Sequence, residues 1–193
     1  MIDLTGKVAV VTGASKGIGK GIVEGLCEYG CTVYFTGRST SSEVPPAPMT
    51  IEATALSANK LGGKAIPVCL DHNDDAAVGA LFERIDQEQG RLDILVNNAG
   101  AAWGEAFETF PESAWDKVMD LNVKSIFFLT QALHGLLKAG ASAEQPAKVI
   151  NIASIDGLRL NTWETYSYQT SKAAVIQLTR RLAARLVKDG ILV

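Results

Sequence analysis

Thr12-Gly13-Ala14-Ser15-Lys16-Gly17-Ile18-Gly19 joins an apolar run, Val8 to Val11, to a helix-like segment from Lys20 to Tyr29. The order is that of a buried strand passing into a helix through a glycine-punctuated bend. Glycines at 13, 17 and 19 let the backbone reverse sharply and remove side chains that would hold a pyrophosphate at a distance. Amide N–H groups at the helix start are then free to point at an anion, so the stretch reads as a phosphate cradle, with Ser15, Lys16 and Ile18 among its residues. Its spacing is Gly-x-x-x-Gly-x-Gly, not the more common Gly-x-Gly-x-x-Gly.

Downstream, Ile22, Val23, Leu26 and Cys27 form a helical stripe that Gly30 stops. Cys31 to Thr36, rich in β-branched and aromatic residues, follows as a second strand. Strand, helix and strand thus fit within roughly the 30 residues of one βαβ unit. An acid at the tip of that second strand would hydrogen-bond adenosine ribose hydroxyls, whereas a cation there would pair with a 2′-phosphate. The tip is Gly37-Arg38, with Lys16 as a second cation, and this points to NADP(H).

Residues 39–50 form the only Ser/Pro-rich stretch and read as a surface loop before a helix from Ile51 to Leu61. Lys64 to Leu70 is a third strand, closed by Asp71. The Asp71 carboxylate either accepts from an adenine amino group or caps the next helix near Asp74-Asp75. After a helix from Ala76 to Glu88, Leu92-Asp93-Ile94-Leu95-Val96 has the apolar run of a strand buried on both faces of a parallel sheet. It ends in Asn97-Asn98-Ala99-Gly100. Asn97, Ala99 and Gly100 are placed to line a cofactor crevice, while an Asn there equally serves to tie neighbouring strands. Trp115 to Leu137 carries more apolar surface than one stripe, which predicts a long helix buried against the sheet and a second subunit. Lys148 to Ala153 is another strand, ending at Ser154, and Tyr166 to Lys188 is helical.

This alternation predicts an α/β fold: one domain over 1–193 with a doubly wound, mostly parallel sheet and helices on both faces. The glycine turn, Arg38, Asp71, Asn97 and Ser154 all fall on the carboxyl edge of its strands, where ligands bind in such sheets. With 193 residues, 47% of them apolar, the chain is long enough for a sizeable core. A net charge of −3 with mixed signs offers no basic face for nucleic acid and no polybasic anchor for a membrane. No apolar run reaches the roughly 18 residues of a membrane helix, and Asp3 stands where a signal peptide would be basic or apolar, so a cytoplasmic location is expected. Cys27, Cys31 and Cys69 form no Cys-x-x-Cys pair, and His72 and His134 lie far apart, so neither a disulfide framework nor a metal site is expected.

Tyr168 and Lys172 are four apart on a predicted helix and face the same way. A phenol has an ordinary pKa of about 10, and a neighbouring ammonium group lowers it by stabilising the phenolate. Tyr168 is then able to exchange a proton with a substrate oxygen, and the Ser154 hydroxyl to hold that oxygen while its charge changes. The glycine turn, Asn97-Asn98-Ala99-Gly100, Ser154 and Tyr168-x-x-x-Lys172, in this order and at these intervals, resemble the short-chain dehydrogenase/reductase family from Leu4 onward. The resemblance implies a Rossmann fold and a catalytic set of Ser154, Tyr168 and Lys172, with Asn122 supporting a proton-relay water. It also implies Lys172 on the nicotinamide ribose, a small-molecule carbonyl or alcohol substrate, and a homo-oligomer. The first half is similar to broad carbonyl-reducing members and the middle to the 3-oxoacyl reductase type. Trp103 and Trp163 are candidates for an apolar pocket wall or for ordinary packing.

Family members begin their sixth strand where this chain has Ile191-Leu192-Val193 and then continue with a substrate-covering segment, so a sheet truncated there is expected, with exposed edges, self-association and poor turnover. Two other readings compete. Gly13-Ala14-Ser15-Lys16-Gly17 also fits the Gly-x-Ser-x-Gly elbow of hydrolases, but few residues precede Val8 to build an oxyanion hole and no histidine follows His134. The other is a non-catalytic nucleotide-binding member of the family.

Overall fold

The computed structural model describes residues 2–193. Six strands, β1 (Val8–Val11), β2 (Thr32–Gly37), β3 (Lys64–Cys69), β4 (Ile94–Asn97), β5 (Ala147–Asn151) and β6 (Ile191–Leu192), form one parallel sheet in the order β3-β2-β1-β4-β5-β6. β1 is central, with Val10 level with Tyr34 on one side and Leu95 on the other. Its side chains alternate between faces, Val8 and Val10 entering one core and Ala9 and Val11 the other.

Helices cover both faces. α1 (Gly17–Glu28) and α2 (Ile51–Ala58) bring Val23, Cys27, Ile51 and Ala58 to the face of Ala9 and Val11. On the opposite face lie α3 (Asp75–Gln89), α5 (Ser125–Ala132), α6 (His134–Gly140) and α7 (Tyr166–Leu186), through Ile85, Leu129, Leu137 and Leu182. The expected doubly wound sheet is therefore present, and its strand order reverses between β1 and β4, which opens a crevice at the strands' carboxyl ends.

Two local expectations are corrected. The residue that caps α3 is Asp74, which accepts from the amides of Ala76 and Ala77, while Asp71 accepts from Asn73. The stretch from Trp115 to Leu137 is not one helix. α4 (Glu112–Met119) passes into a π turn over Asp120–Lys124, where Ser125 N–H reaches back five residues to Asp120 O, and the chain bends again at Leu133 between α5 and α6. Uncovered apolar surface lies at Ile150 and Leu192, 45% and 47% exposed, on β5 and β6.

At the opposite end of the sheet Asp93 is buried beneath Lys7 and Arg91 and accepts from Val8 N–H. Burial pushes its carboxyl pKa up, but the Arg91, Val8 and Lys7 hydrogen bonds outweigh that, and the net shift is downward. Such a carboxylate adds stability that is full above the unfolded value of about 3.9 and is lost as pH falls through the lower folded value. Asp93→Ala is expected to lower stability at pH 7 by about 3 kcal/mol, leaving two cations without a buried partner. It should also flatten the fall in stability below about pH 4. Urea unfolding across that range checks both.

Candidate functional site

The bend after β1 is held from three sides. Thr12 Oγ1 accepts from Asn98 N (2.9 Å) and Ala99 N (2.8 Å), and Asn98 Nδ2 donates to the carbonyls of Thr12 and Gly13 at 2.8 and 2.9 Å. From β2, Thr36 O accepts from Ala14 N at 2.8 Å, and from α2, Thr54 Oγ1 donates to Ala14 O at 2.9 Å. Gly13 takes φ +67°, and a Cβ on it would lie 2.7 Å from Ala99 Cα. α1 then begins at Gly17 with no side chain capping it, so its first amides remain open to an anion.

The crevice in front of this bend measures about 410 Å³ and is lined by Gly13, Ser15, Lys16, Ile18, Gly19, Arg38, Asp71, Ala99 and Gly100, all singled out in the sequence, together with Thr36, Gly37, Ser39 and His72. Arg38 is exposed at the end of β2, its guanidinium 3.5 Å from the Asp71 carboxylate. Asn97 does not line the crevice. It is 3% exposed, with Nδ2 donating to Asn151 Oδ1 (2.8 Å) and Thr130 Oγ1 (3.3 Å), so it ties β4 to β5 and α5 beneath the crevice floor.

A second cluster lies at the carboxyl end of β5. Lys172 is buried, donates to Ile152 O at 2.7 Å, and holds its ammonium 5.7 Å from the Tyr168 ring centroid. Burial pushes the Lys172 pKa below the usual lysine range. Ser154 Oγ accepts from Asp156 N at 3.2 Å, opening a 3₁₀ turn over Ile155–Gly157. That turn sits directly on α7: a Cβ at Gly157 would lie 2.6 Å from the Lys172 carbonyl carbon. The segment that begins at Ser154 is thus packed on the helix that carries Lys172.

Asn122 occupies the π turn, fully buried. Its Oδ1 accepts from Ala101 N at 2.8 Å, and Nδ2 donates to Ala101 O and Ser171 Oγ, both at 2.9 Å. Ser171 Oγ in turn donates to Tyr168 O at 2.7 Å. Both amide hydrogens of Asn122 are committed to protein atoms, and the side chain clamps the segment after Gly100 onto α7 at Tyr168.

The two tryptophans are not brought together. Trp103 is 38% exposed beneath the Lys117 ammonium, and Trp163, 74% exposed, lines a separate cleft of about 460 Å³ with Trp115 and Tyr166. Among the described residues, no group of three His, Cys, Asp or Glu is arranged to hold a metal ion, and no helix is long and apolar enough to cross a membrane. Sequence reasoning assigned no role to Thr36, Thr54, His72 or Ser171. A small hydroxyl in a strand or helix carries no signal of its tertiary partner; His72 beside Asp71 was the only visible hint.

The family model for short chain dehydrogenases matches residues 7–193. The chain belongs to the short-chain dehydrogenase family. Among its relatives, the rhamnolipids biosynthesis 3-oxoacyl-[acyl-carrier-protein] reductase of Pseudomonas aeruginosa is 43% identical over 193 residues, which span 98% of this chain and 70% of that protein. A solved structure of the Pseudomonas aeruginosa RhlG/NADP active-site complex superposes with a TM-score of 0.87 at 42% identity, covering 98% of this chain and 71% of that one. The NADH-dependent reductase A1-R′, solved with NAD, matches with a TM-score of 0.85 at 26% identity over 97% of this chain and 76% of that one. In this short-chain dehydrogenase the glycine bend, the crevice and the Ser154–Tyr168–Lys172 cluster share the carboxyl edge of one sheet.

Proposed function

We propose that this short-chain dehydrogenase binds NADP(H) and interconverts a carbonyl and a secondary alcohol, with 3-oxoacyl thioesters as the substrate class. The observation that carries the reading is the buried Lys172 ammonium facing the Tyr168 ring, on the same sheet edge as the crevice. The open amides of α1 suit the pyrophosphate, and Arg38 suits a 2′-phosphate. The nicotinamide supplies or receives the hydride. Tyr168 gives its phenolic proton to the substrate oxygen in reduction and takes it back in oxidation, while Ser154 donates a hydrogen bond to that oxygen. Lys172 sets a positive charge beside the Tyr168 ring, 5.7 Å from its centroid. The 3-oxoacyl assignment is drawn from the Pseudomonas relative. The same reading takes the protein as a cytoplasmic, single-domain homo-oligomer, and exposed Phe127 and Phe128 on α5 offer apolar surface for association. Loss of absorbance at the reduced-nicotinamide band with NADPH and a 3-oxoacyl thioester tests the reading; no consumption across a series of acyl lengths would refute the substrate class.

Cofactor choice is expected to turn chiefly on Arg38, with Lys16 as the second cation on the crevice. An acid cannot enter at Gly37, because a Cβ there would lie 2.6 Å from Ile51 Cγ2 at the start of α2. Arg38→Asp is expected to weaken NADPH by about 10- to 100-fold, the scale of a lost charged hydrogen bond, and to favour NADH. Gly37→Asp should instead destabilise the fold. Titration of both variants with both cofactors distinguishes these outcomes.

A further inference from the structure

Thr36, near the end of β2, is fully buried, and its hydroxyl meets two polar groups outside its own strand. Gly13 N–H donates to Oγ1 at 3.2 Å, and His72 Nε2 lies 2.7 Å away. A hydroxyl has one proton to give, and in a buried site that proton needs an acceptor. Nε2 accepts that proton when His72 is the neutral tautomer carrying its own proton on Nδ1. Donation into the imidazole makes Oγ1 a better acceptor for Gly13 N–H, because bonds in such a chain polarise one another.

The chain ends on the residue that shapes the bend. Gly13 has the positive φ that starts the turn, and its neighbour Ala14 is bonded to the carbonyl of the same Thr36. We propose that His72 is a positioning residue for the glycine turn: acting through Thr36 Oγ1, it holds the Gly13 N–H inward so that the later amides of the turn face the crevice. Its relevance to the cofactor rests on the dinucleotide reading given above. Burial, with the Arg38 cation opposing and the Asp71 carboxylate favouring charge, brings the His72 pKa down to about 4, so the acceptor form persists through neutral pH. Charging the ring would turn Nε2 into a donor and leave the Thr36 proton without a partner.

Three variants test this, with a readout that needs no cofactor. In His72→Leu and in Thr36→Val, the Gly13 amide is expected to exchange with solvent at least about tenfold faster than in the unmodified protein, by heteronuclear NMR. NADPH should bind about tenfold more weakly, the scale of an unmet buried donor. His72→Gln, whose Oε1 also accepts from Thr36, should recover most of both losses. The double variant His72→Leu/Thr36→Val should be no worse than the single ones, since both cut the same chain. Unchanged Gly13 exchange in His72→Leu, or additive losses in the double variant, would overturn the proposal. If the unmodified protein binds no dinucleotide, the proposed function fails, while Gly13 exchange still decides the role of His72.

Discussion

Tyr168→Phe is expected to lower kcat by about a thousandfold, the scale of a general acid's contribution, while NADPH affinity stays within about twofold. The substitution removes one oxygen and leaves the scaffold. Lys172 still has its anchor on Ile152 O and an aromatic ring beside its ammonium, and Ser171 bonds the Tyr168 carbonyl, which Phe retains. Lys172→Ala differs in kind, because it empties a buried position that is bonded to Ile152, just past β5, and lies beside the Tyr168 ring, and it should impair cofactor binding as well as turnover. Tyr166 is a poor substitute donor. Its hydroxyl donates to Glu164 Oε1 at 2.7 Å, and that carboxylate raises its pKa. Initial rates and NADPH titration on the two variants separate these effects; a Phe variant keeping a tenth of the activity would assign the proton to another group.

The fold was legible in the chain because its strands are apolar on both faces, a pattern that only a sheet covered twice accounts for. Val8 to Val11 and Ile94 to Val96 needed no partner information to be read as buried strands. The glycine bend was legible because glycines at 13, 17 and 19 between an apolar strand and a helix mark a sharp turn in the sequence alone. The failures share another cause. The break at Asp120–Lys124 is set by Asn122 reaching Ala101 and Ser171, 21 and 49 residues away, and no local apolar count records that. Asn97 was chemically suited to two roles, and its burial beside Asn151 and Thr130 selected the one beneath the crevice. Asp71 and Asp74 are equally good caps by residue type; where β3 ends decides between them. The hydroxyls of Thr36, Thr54 and Ser171 were silent because each acts across the fold.

The same helix supplies two glycines whose replacement by Ala should have opposite signs. Gly25 lies within α1, and a Cβ there meets nothing within 4 Å. Gly25→Ala is therefore expected to stabilise the protein by up to about 1 kcal/mol, the difference in helix propensity. Gly19 lies in the first turn of the same helix, but its Cβ would lie 2.5 Å from both Asn98 Nδ2 and Gly13 O, and 2.9 Å from Ala14 Cα. Two of those atoms are backbone of the bend itself, and the third is the amide that bonds the carbonyls of Thr12 and Gly13. Asn98 cannot yield without releasing both carbonyls, so the methyl group is accommodated only by opening the turn. Gly19→Ala is expected to cost about 3 kcal/mol as overpacking of a rigid site. It should also weaken NADPH by at least about a hundredfold, because the amides proposed to receive the pyrophosphate move with the bend. Urea unfolding of the two variants, with NADPH titration of each, reads both signs. If Gly19→Ala binds NADPH within tenfold of the unmodified protein, the turn accepts a side chain and close approach is not what requires glycine there.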